Sequence, residues 1–200
     1  MVVKTYPLGS LQTNCYLVID EETNKAVVID PGAQSNYLIR EIESLGVEVD
    51  LILLTHCHFD HNGAVKDLKE KYNAKVYLNK AEEEYMEIDS TGIFGKLPKF
   101  YEYVNEEEEI KSGNLSFKVI FTPGHTKGGT CYLINDSIFT GDTLFNGSIG
   151  RTDFLGGSYN ELIYGIENKL MVLDDNITVY PGHGPKSSIG YEKHKNPFLI

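Results

Sequence analysis

The chain is 200 residues long, close to one domain at the usual ~150 residues, and its 29 acidic against 18 basic side chains give a net charge of −11. That charge argues against nucleic-acid backbones and anionic membrane surfaces, which recruit basic patches, and leaves small molecules as partners. No apolar run nears the ~20 residues that span a bilayer, no apolar signal segment opens the chain, and three cysteines without Cys-x-x-Cys spacing suit neither a disulfide framework nor a cysteine zinc site. The expectation is one unit over residues 1–200 in a reducing cytoplasm.

In chain order, residues 2–6, 15–20 and 25–30 are rich in β-branched and aromatic side chains. The polar stretch Glu21-Glu22-Thr23-Asn24 predicts a hairpin between the last two, and Pro31-Gly32 stops the third run. Leu38, Ile42 and Leu45 recur at helical spacing over 34–45, with Gly46 placed as a cap. A fully apolar strand at 51–54 precedes a second helix with the face Ala64, Val65, Leu68 and Tyr72. Residues 75–78 read as a strand, 79–87 as an acidic helix and 88–105 as an irregular excursion. Strands at 115–121, 130–134 and 137–141 follow, the last two joined at Asn135-Asp136. A helix over 159–170, a strand at 177–180 and a short helix before Pro197 complete the pass. Glu82-Glu83-Glu84 and the acidic run 106–109 read as solvated faces, and Cys15, Cys57 and Cys131 as core. Strands and helices interspersed without a composition break predict a layered sheet-and-helix domain.

Three of the six histidines fall in His56-Cys57-His58-Phe59-Asp60-His61, directly after the apolar strand. In extended backbone the side chains of 56, 58 and 60 share one side, and the bend into the next helix swings His61 beside them. Three further ligand-type residues stand just past β-runs and next to glycine: His125 in Thr122-Pro123-Gly124-His125, Asp142 in Gly141-Asp142-Thr143, and His183 in Pro181-Gly182-His183-Gly184. Five histidines and two aspartates exceed what one tetrahedral ion needs, and suit two ions bridged by a carboxylate and a water.

The pattern His-x-His-x-Asp-His at 56–61, with His125, Asp142 and His183 downstream, resembles the metallo-β-lactamase fold superfamily over nearly the whole chain. The resemblance implies an α+β four-layer αββα sandwich with metals in a cleft at one edge of two sheets. It implies that His56, His58 and His125 hold one ion, that Asp60, His61 and His183 hold the other, and that Asp142 bridges them. Asp30, in Val28-Ile29-Asp30-Pro31-Gly32, matches a carboxylate that orients a ligand histidine, although a plain strand-end turn is equally open to it. Within the superfamily, Gly141-Asp142-Thr143-Leu144-Phe145 and the segment 147–154 resemble the glyoxalase II group. Tyr180-Pro181-Gly182-His183-Gly184-Pro185, Ile189-Gly190-Tyr191-Glu192 and Asn196-Pro197-Phe198 resemble the short single-domain bacterial hydroxyacylglutathione hydrolases. The chain ends soon after His183, so no C-terminal glutathione-binding helical domain is expected.

The expected activity is hydrolysis of acyl thioesters, S-lactoylglutathione or a related hydroxyacyl thioester, by a hydroxide bridging two divalent ions. Zinc is the first expectation for the metal, with iron or manganese as alternatives. Asp60 would orient the hydroxide and carry its proton as the catalytic carboxylate. Lys127 and Arg151 are the cations nearest the ligands in sequence and the candidates for contact with an anionic substrate, against surface exposure for Lys127 and a salt bridge to Asp153 for Arg151. Phe94, Phe100, Tyr101 and Tyr103 make the excursion 88–105 a candidate aromatic lid. The main competing activity is that of the single-iron persulfide dioxygenases, which resemble this chain at His-x-His-x-Asp-His and Gly-Arg-Thr-Asp-Phe. A lactonase, a β-lactamase and a non-catalytic metal-binding module are further alternatives. Neither a Gly-x-Ser-x-Gly elbow nor a phosphate loop is present.

Overall fold

The structure, a computed structural model that describes residues 1–200, opens with three antiparallel strands, β1 (Val2–Leu8), β2 (Thr13–Asp20) and β3 (Lys25–Ile29). Helix α1 (Ser35–Leu45) ends at Gly46, whose φ of 66° is the left-handed cap that glycine adopts without a Cβ clash. Strand β4 (Glu48–Leu53), the short helix α2 (Phe59–Asn62), α3 (Val65–Tyr72), β5 (Lys75–Asn79), α4 (Lys80–Ile88) and β6 (Tyr101–Val104) follow. The six strands form one sheet in the order β1-β2-β3-β4-β5-β6, parallel from β3 onward.

The second half repeats the scheme with β7 (Glu109–Ser112), β8 (Leu115–Phe121), β9 (Thr130–Ile134) and β10 (Ser137–Gly141). The small hairpin β11 (Leu144–Phe145) and β12 (Ser148–Ile149) leads to α5 (Tyr159–Gly165), which runs on as a π-helical turn over Ile166–Leu170. Strand β13 (Thr178–Pro181), β14 (Ser187–Ser188) and α6 (Ile189–Lys195) complete the chain, and the second sheet has the order β14-β13-β10-β9-β8-β7.

Period-two alternation turns these strands into four layers. On β2, Cys15, Leu17 and Ile19 face α1, α3 and α4, while Tyr16 and Val18 face the other sheet. On β3 and β4, Ala26, Val28 and Ile52 pack toward the helices, and Val27, Ile29, Leu51 and Leu53 pack toward Phe117, Val119, Tyr132 and Phe139 of the second sheet. The outer face of that second sheet, with Ile120, Cys131, Ile138 and Val179, is covered by Leu162, Ile166 and Leu170. The result is the expected αββα sandwich. All three cysteines are buried and unpaired, and no helix is long and apolar enough to cross a membrane.

Several local expectations need correction. The excursion 88–105 ends in β6, an edge strand of only four residues, and β7 begins inside the acidic run at Glu109. The helix over 159–170 changes to π-type hydrogen bonding halfway along. Glu82 is not solvated: it is fully buried on the face of α4 that also carries Met86.

Candidate metal centre

Each predicted ligand lies where a strand runs out at one shared edge of the sandwich. His56 follows β4, His125 follows β8, Asp142 follows β10 and His183 follows β13. Inter-sheet hydrogen bonds hold this edge together: Thr130 N donates to the Thr55 carbonyl (2.9 Å), Tyr132 Oη to the Leu54 carbonyl (2.8 Å) and Tyr16 Oη to the Pro181 carbonyl (2.6 Å). Gly182 is required by close approach, since a Cβ there would sit 2.2 Å from Asp142 Oδ1 and 2.8 Å from the His61 ring.

The seven side chains converge into overlapping groups, His56/His58/His125, His56/His61/Asp142 and Asp60/His61/His183, with the candidate ligand atoms of each group within 4.8 Å of one another. Extended backbone does bring His56 and His58 together. Asp60 does not join them, because α2 begins at Phe59 and its turn sends Asp60 and His61 to the Asp60/His61/His183 group. Asp142 spans the two groups: Oδ1 lies 3.4 Å from His61 Nε2, while Oδ2 lies 3.5 Å from His125 Nε2 and 3.6 Å from His183 Nε2. The sixth histidine, His194, is exposed on α6.

Hydrogen bonds on the far side of each ring set the tautomers. His61 Nδ1 donates to Asp30 Oδ2 (3.0 Å), His125 Nδ1 to the Arg151 carbonyl (2.8 Å) and His183 Nδ1 to the Leu11 carbonyl (3.2 Å). Thr55 Oγ1 donates to Asp30 Oδ2 (2.6 Å) and so accepts from His56 Nδ1 (3.1 Å). Four Nε2 lone pairs are thereby turned into the cluster. Asp30 both makes the strand-end turn, with φ 51°, and orients His61, so its two readings hold together. Asp60 Oδ2 accepts from the buried Thr13 hydroxyl at 2.7 Å.

These contacts test whether the residues fit a cation. His58 Nδ1 stands 3.1 Å from His56 Nε2 and 3.0 Å from His125 Nε2, yet it carries at most one hydrogen in a neutral ring, so at least one of the facing Nε2 lone pairs is left without a donor. His61 Nε2 and Asp142 Oδ1 are buried without any hydrogen-bond partner. Buried polar atoms left unsatisfied are costly, and imidazole and carboxylate donors are what zinc, iron and manganese bind. The cluster therefore fits divalent cations.

Electrostatics divide the two groups. Burial takes His58 down to about 3, helped by His125 and His61, and burial likewise lowers His56 and His125. Burial also opposes the charged form of His61, but Asp142 and Asp30 outweigh it and raise that imidazole; His183 is raised because its hydrogen bond to Asp60 and the charge of Asp142 overcome burial. Burial favours the neutral form of Asp60 and Asp142, yet the surrounding histidines hold both carboxylates low. His183, at 29% exposure, is the most open of the seven, and the cluster meets solvent on its side.

Of the substrate-contact candidates, Lys127 Nζ pairs with Glu161 (2.6 Å), and Arg151 forms a two-point pair with Asp153 (2.7 Å each) with its guanidinium 3.8 Å above the Phe154 ring. Of the four candidate lid aromatics, only Phe94 reaches the site. It is buried 4.8 Å from the His58 ring on a segment pinned to residues 57–62, with Phe59 N donating to the Ile93 carbonyl and Gly95 N to that of Cys57. Phe100 and Tyr101 pack on the core, and Tyr103 bonds Glu83.

The model of the metallo-beta-lactamase superfamily matches residues 8–183. The chain belongs to this superfamily. GloC of Haemophilus influenzae, a hydroxyacylglutathione hydrolase by name, is 38% identical over 210 residues, covering 100% of this chain and 98% of that protein. Among solved structures, the BLEG-1 B3 metallo-beta-lactamase superposes with TM-score 0.91 at 35% identity, covering 100% of both chains. TTHA1623, solved in a di-iron-bound form, superposes with TM-score 0.88 at 34% identity, covering 98% of this chain and 100% of that one. As a metallo-beta-lactamase superfamily member with this donor set, the protein is a metal-dependent hydrolase.

Thr13, Thr55 and Glu82 escaped the sequence reading. A signal for Glu82 exists: four residues before Met86, it shares the inward face of an otherwise acidic helix.

Proposed function

We propose that the protein hydrolyses acyl thioesters, S-lactoylglutathione or a related hydroxyacyl thioester, in the cytoplasm. The observation that carries this reading is the end-to-end similarity to a relative named as a hydroxyacylglutathione hydrolase. His56, His58 and His125 would hold one divalent ion and Asp60, His61 and His183 a second, with Asp142 shared between them, and zinc, iron and manganese all suit these donors. Bound divalent ions supply Lewis acidity, lowering the pKa of water toward neutrality and polarising a carbonyl. The protein's part is to hold its donors in place and to handle the proton. Asp60, kept ionised by its neighbours and oriented by Thr13, accepts a hydrogen bond from the attacking water and passes the proton toward the leaving thiolate. Arg151 is the cation that would meet an anionic substrate, and it would have to give up part of its pairing with Asp153 to do so.

The test is a thioester panel assayed by thiol release, with Asp60→Ala and His61→Ala as variants. Both are expected to abolish hydrolysis while keeping the far-UV circular dichroism of the parent; a folded variant with near-parental turnover would remove the mechanism. The likeness to BLEG-1 favours β-lactam hydrolysis as a second reading, and turnover of β-lactams with no turnover of any thioester would select it. A single-iron dioxygenase leaves the Asp60/His61/His183 donors without a task, which weighs against it.

A further inference from the structure

Glu82 is a fully buried carboxylate with no cationic side chain paired to it. Its two oxygens are divided between two loops: Oε2 accepts from Cys57 N at 2.7 Å and Oε1 from Gly128 N at 2.8 Å. Cys57 lies between His56 and His58, and Gly128 lies three residues beyond His125. One carboxylate thus bolts together the two loops that carry the first group of candidate ligands. The approach is tight, because a Cβ on residue 128 would lie 2.6 Å from Glu82 Oε1. The Asp60/His61/His183 group has a different set of supports: Thr13 holds Asp60, while Asn14 and Tyr16 hold the chain around His183 through the carbonyls of Pro181 and Gly184. An apolar side chain in its place would leave two buried amide hydrogens unsatisfied, and a carboxylate that accepts both fixes the separation of the two loops.

We propose that Glu82 is the positioning residue of the His56/His58/His125 group, setting the separation of its two loops and hence that group's affinity for a divalent ion. The proposal rests on the reading of these histidines as metal ligands. Glu82→Gln keeps the size of the side chain but turns an amide NH2 toward one of the two backbone N–H groups, and the loop it faced must shift.

The test is titration of the metal-free, full-length protein with cobalt(II), read by visible absorption. A His183→Ala background weakens the second group, and a His58→Ala background weakens the first. In the His183→Ala background, Glu82→Gln is expected to weaken cobalt binding by about 10- to 100-fold, the range for residues that orient metal ligands, and to shift the absorption bands. In the His58→Ala background it is expected to leave cobalt binding unchanged. Glu192→Gln alters an equally buried carboxylate that holds Gly147 N and Asn196, and is expected to lower thermal stability without touching the first group's affinity. Should Glu82→Gln fail to fold, Glu82→Asp is read by the same criteria. Binding by the first group within about twofold of the parent, or equal weakening of both groups, overturns the proposal and leaves Glu82 a purely structural residue. Undiminished cobalt binding in His58→Ala itself would instead remove the ligand reading, and the proposal with it.

Discussion

Thr13 donates its buried hydroxyl to Asp60 Oδ2 at 2.7 Å, so the rotamer of a proposed catalytic carboxylate rests on a residue 47 positions away. Thr13→Val keeps the shape and removes the hydrogen bond. We predict about 10-fold weaker metal binding and a comparable fall in turnover, in the range for groups that orient ligands, with the fold retained; chelator competition and circular dichroism check this, and parental affinity would show that Asp60 needs no such support. Arg151→Ala is predicted to raise KM for an anionic thioester several-fold with metal content intact, and an unaltered KM would confine Arg151 to its pair with Asp153 and Phe154. The seven clustered side chains were legible in the sequence because four of them crowd into residues 56–61 and three more stand past strand ends beside glycine, a pattern that resembles a known superfamily. Thr13 was not, because what distinguishes it is a partner 47 residues away that only the fold supplies, and Glu82 was masked by its acidic neighbours although it shares the inward face of α4 with Met86.

Among the elements, β2 and β13 couple the two halves of the molecule. Asn14 N donates to the Gly182 carbonyl (2.7 Å), and both Asn14 Nδ2 and Tyr16 Oη reach the Pro181 carbonyl. Tyr16→Phe is therefore predicted to destabilise by only about 1 kcal/mol in denaturant unfolding, because Asn14 still satisfies that carbonyl. A loss of several kcal/mol would mean that the tyrosine hydroxyl cannot be replaced there. The hairpin of β2 and β3, the helix α1 with its Gly46 cap and the buried β4 were legible from local pattern, each having a clean period or a glycine stop. Strands β6 and β7 were hidden because each is a four-residue edge strand whose place comes from pairing with β5 or β8. The break in the helix after Gly165 follows no local signal that we can identify.

For the whole molecule, the division of charge predicts how metal binding responds to acid. Histidines in unfolded chains titrate near 6.5. His61 and His183 are raised above that in the metal-free fold, so a cation competes with protons there and binding by the Asp60/His61/His183 group weakens as pH falls through the histidine range. His56 and His125 are lowered and His58 sits at about 3, so protons compete less for their lone pairs and the first group loses less affinity over the same range. Calorimetric titrations in buffers of different ionisation enthalpy measure the protons released at each step, and equal release at both steps would contradict this division. The same lowered histidines stay neutral in the fold while the unfolded chain binds protons, so their contribution to metal-free stability is full above about pH 6.5 and is lost as pH falls toward their folded values.

The central claim, a two-ion hydrolytic centre built from seven side chains, is tested most directly by elemental analysis of protein purified without added metal. The account predicts close to two ions of zinc, iron or manganese per chain, with thioester hydrolysis lost on chelation and restored by the metal. One iron per chain, unchanged after incubation with excess metal and without any thioester hydrolysis, would contradict it.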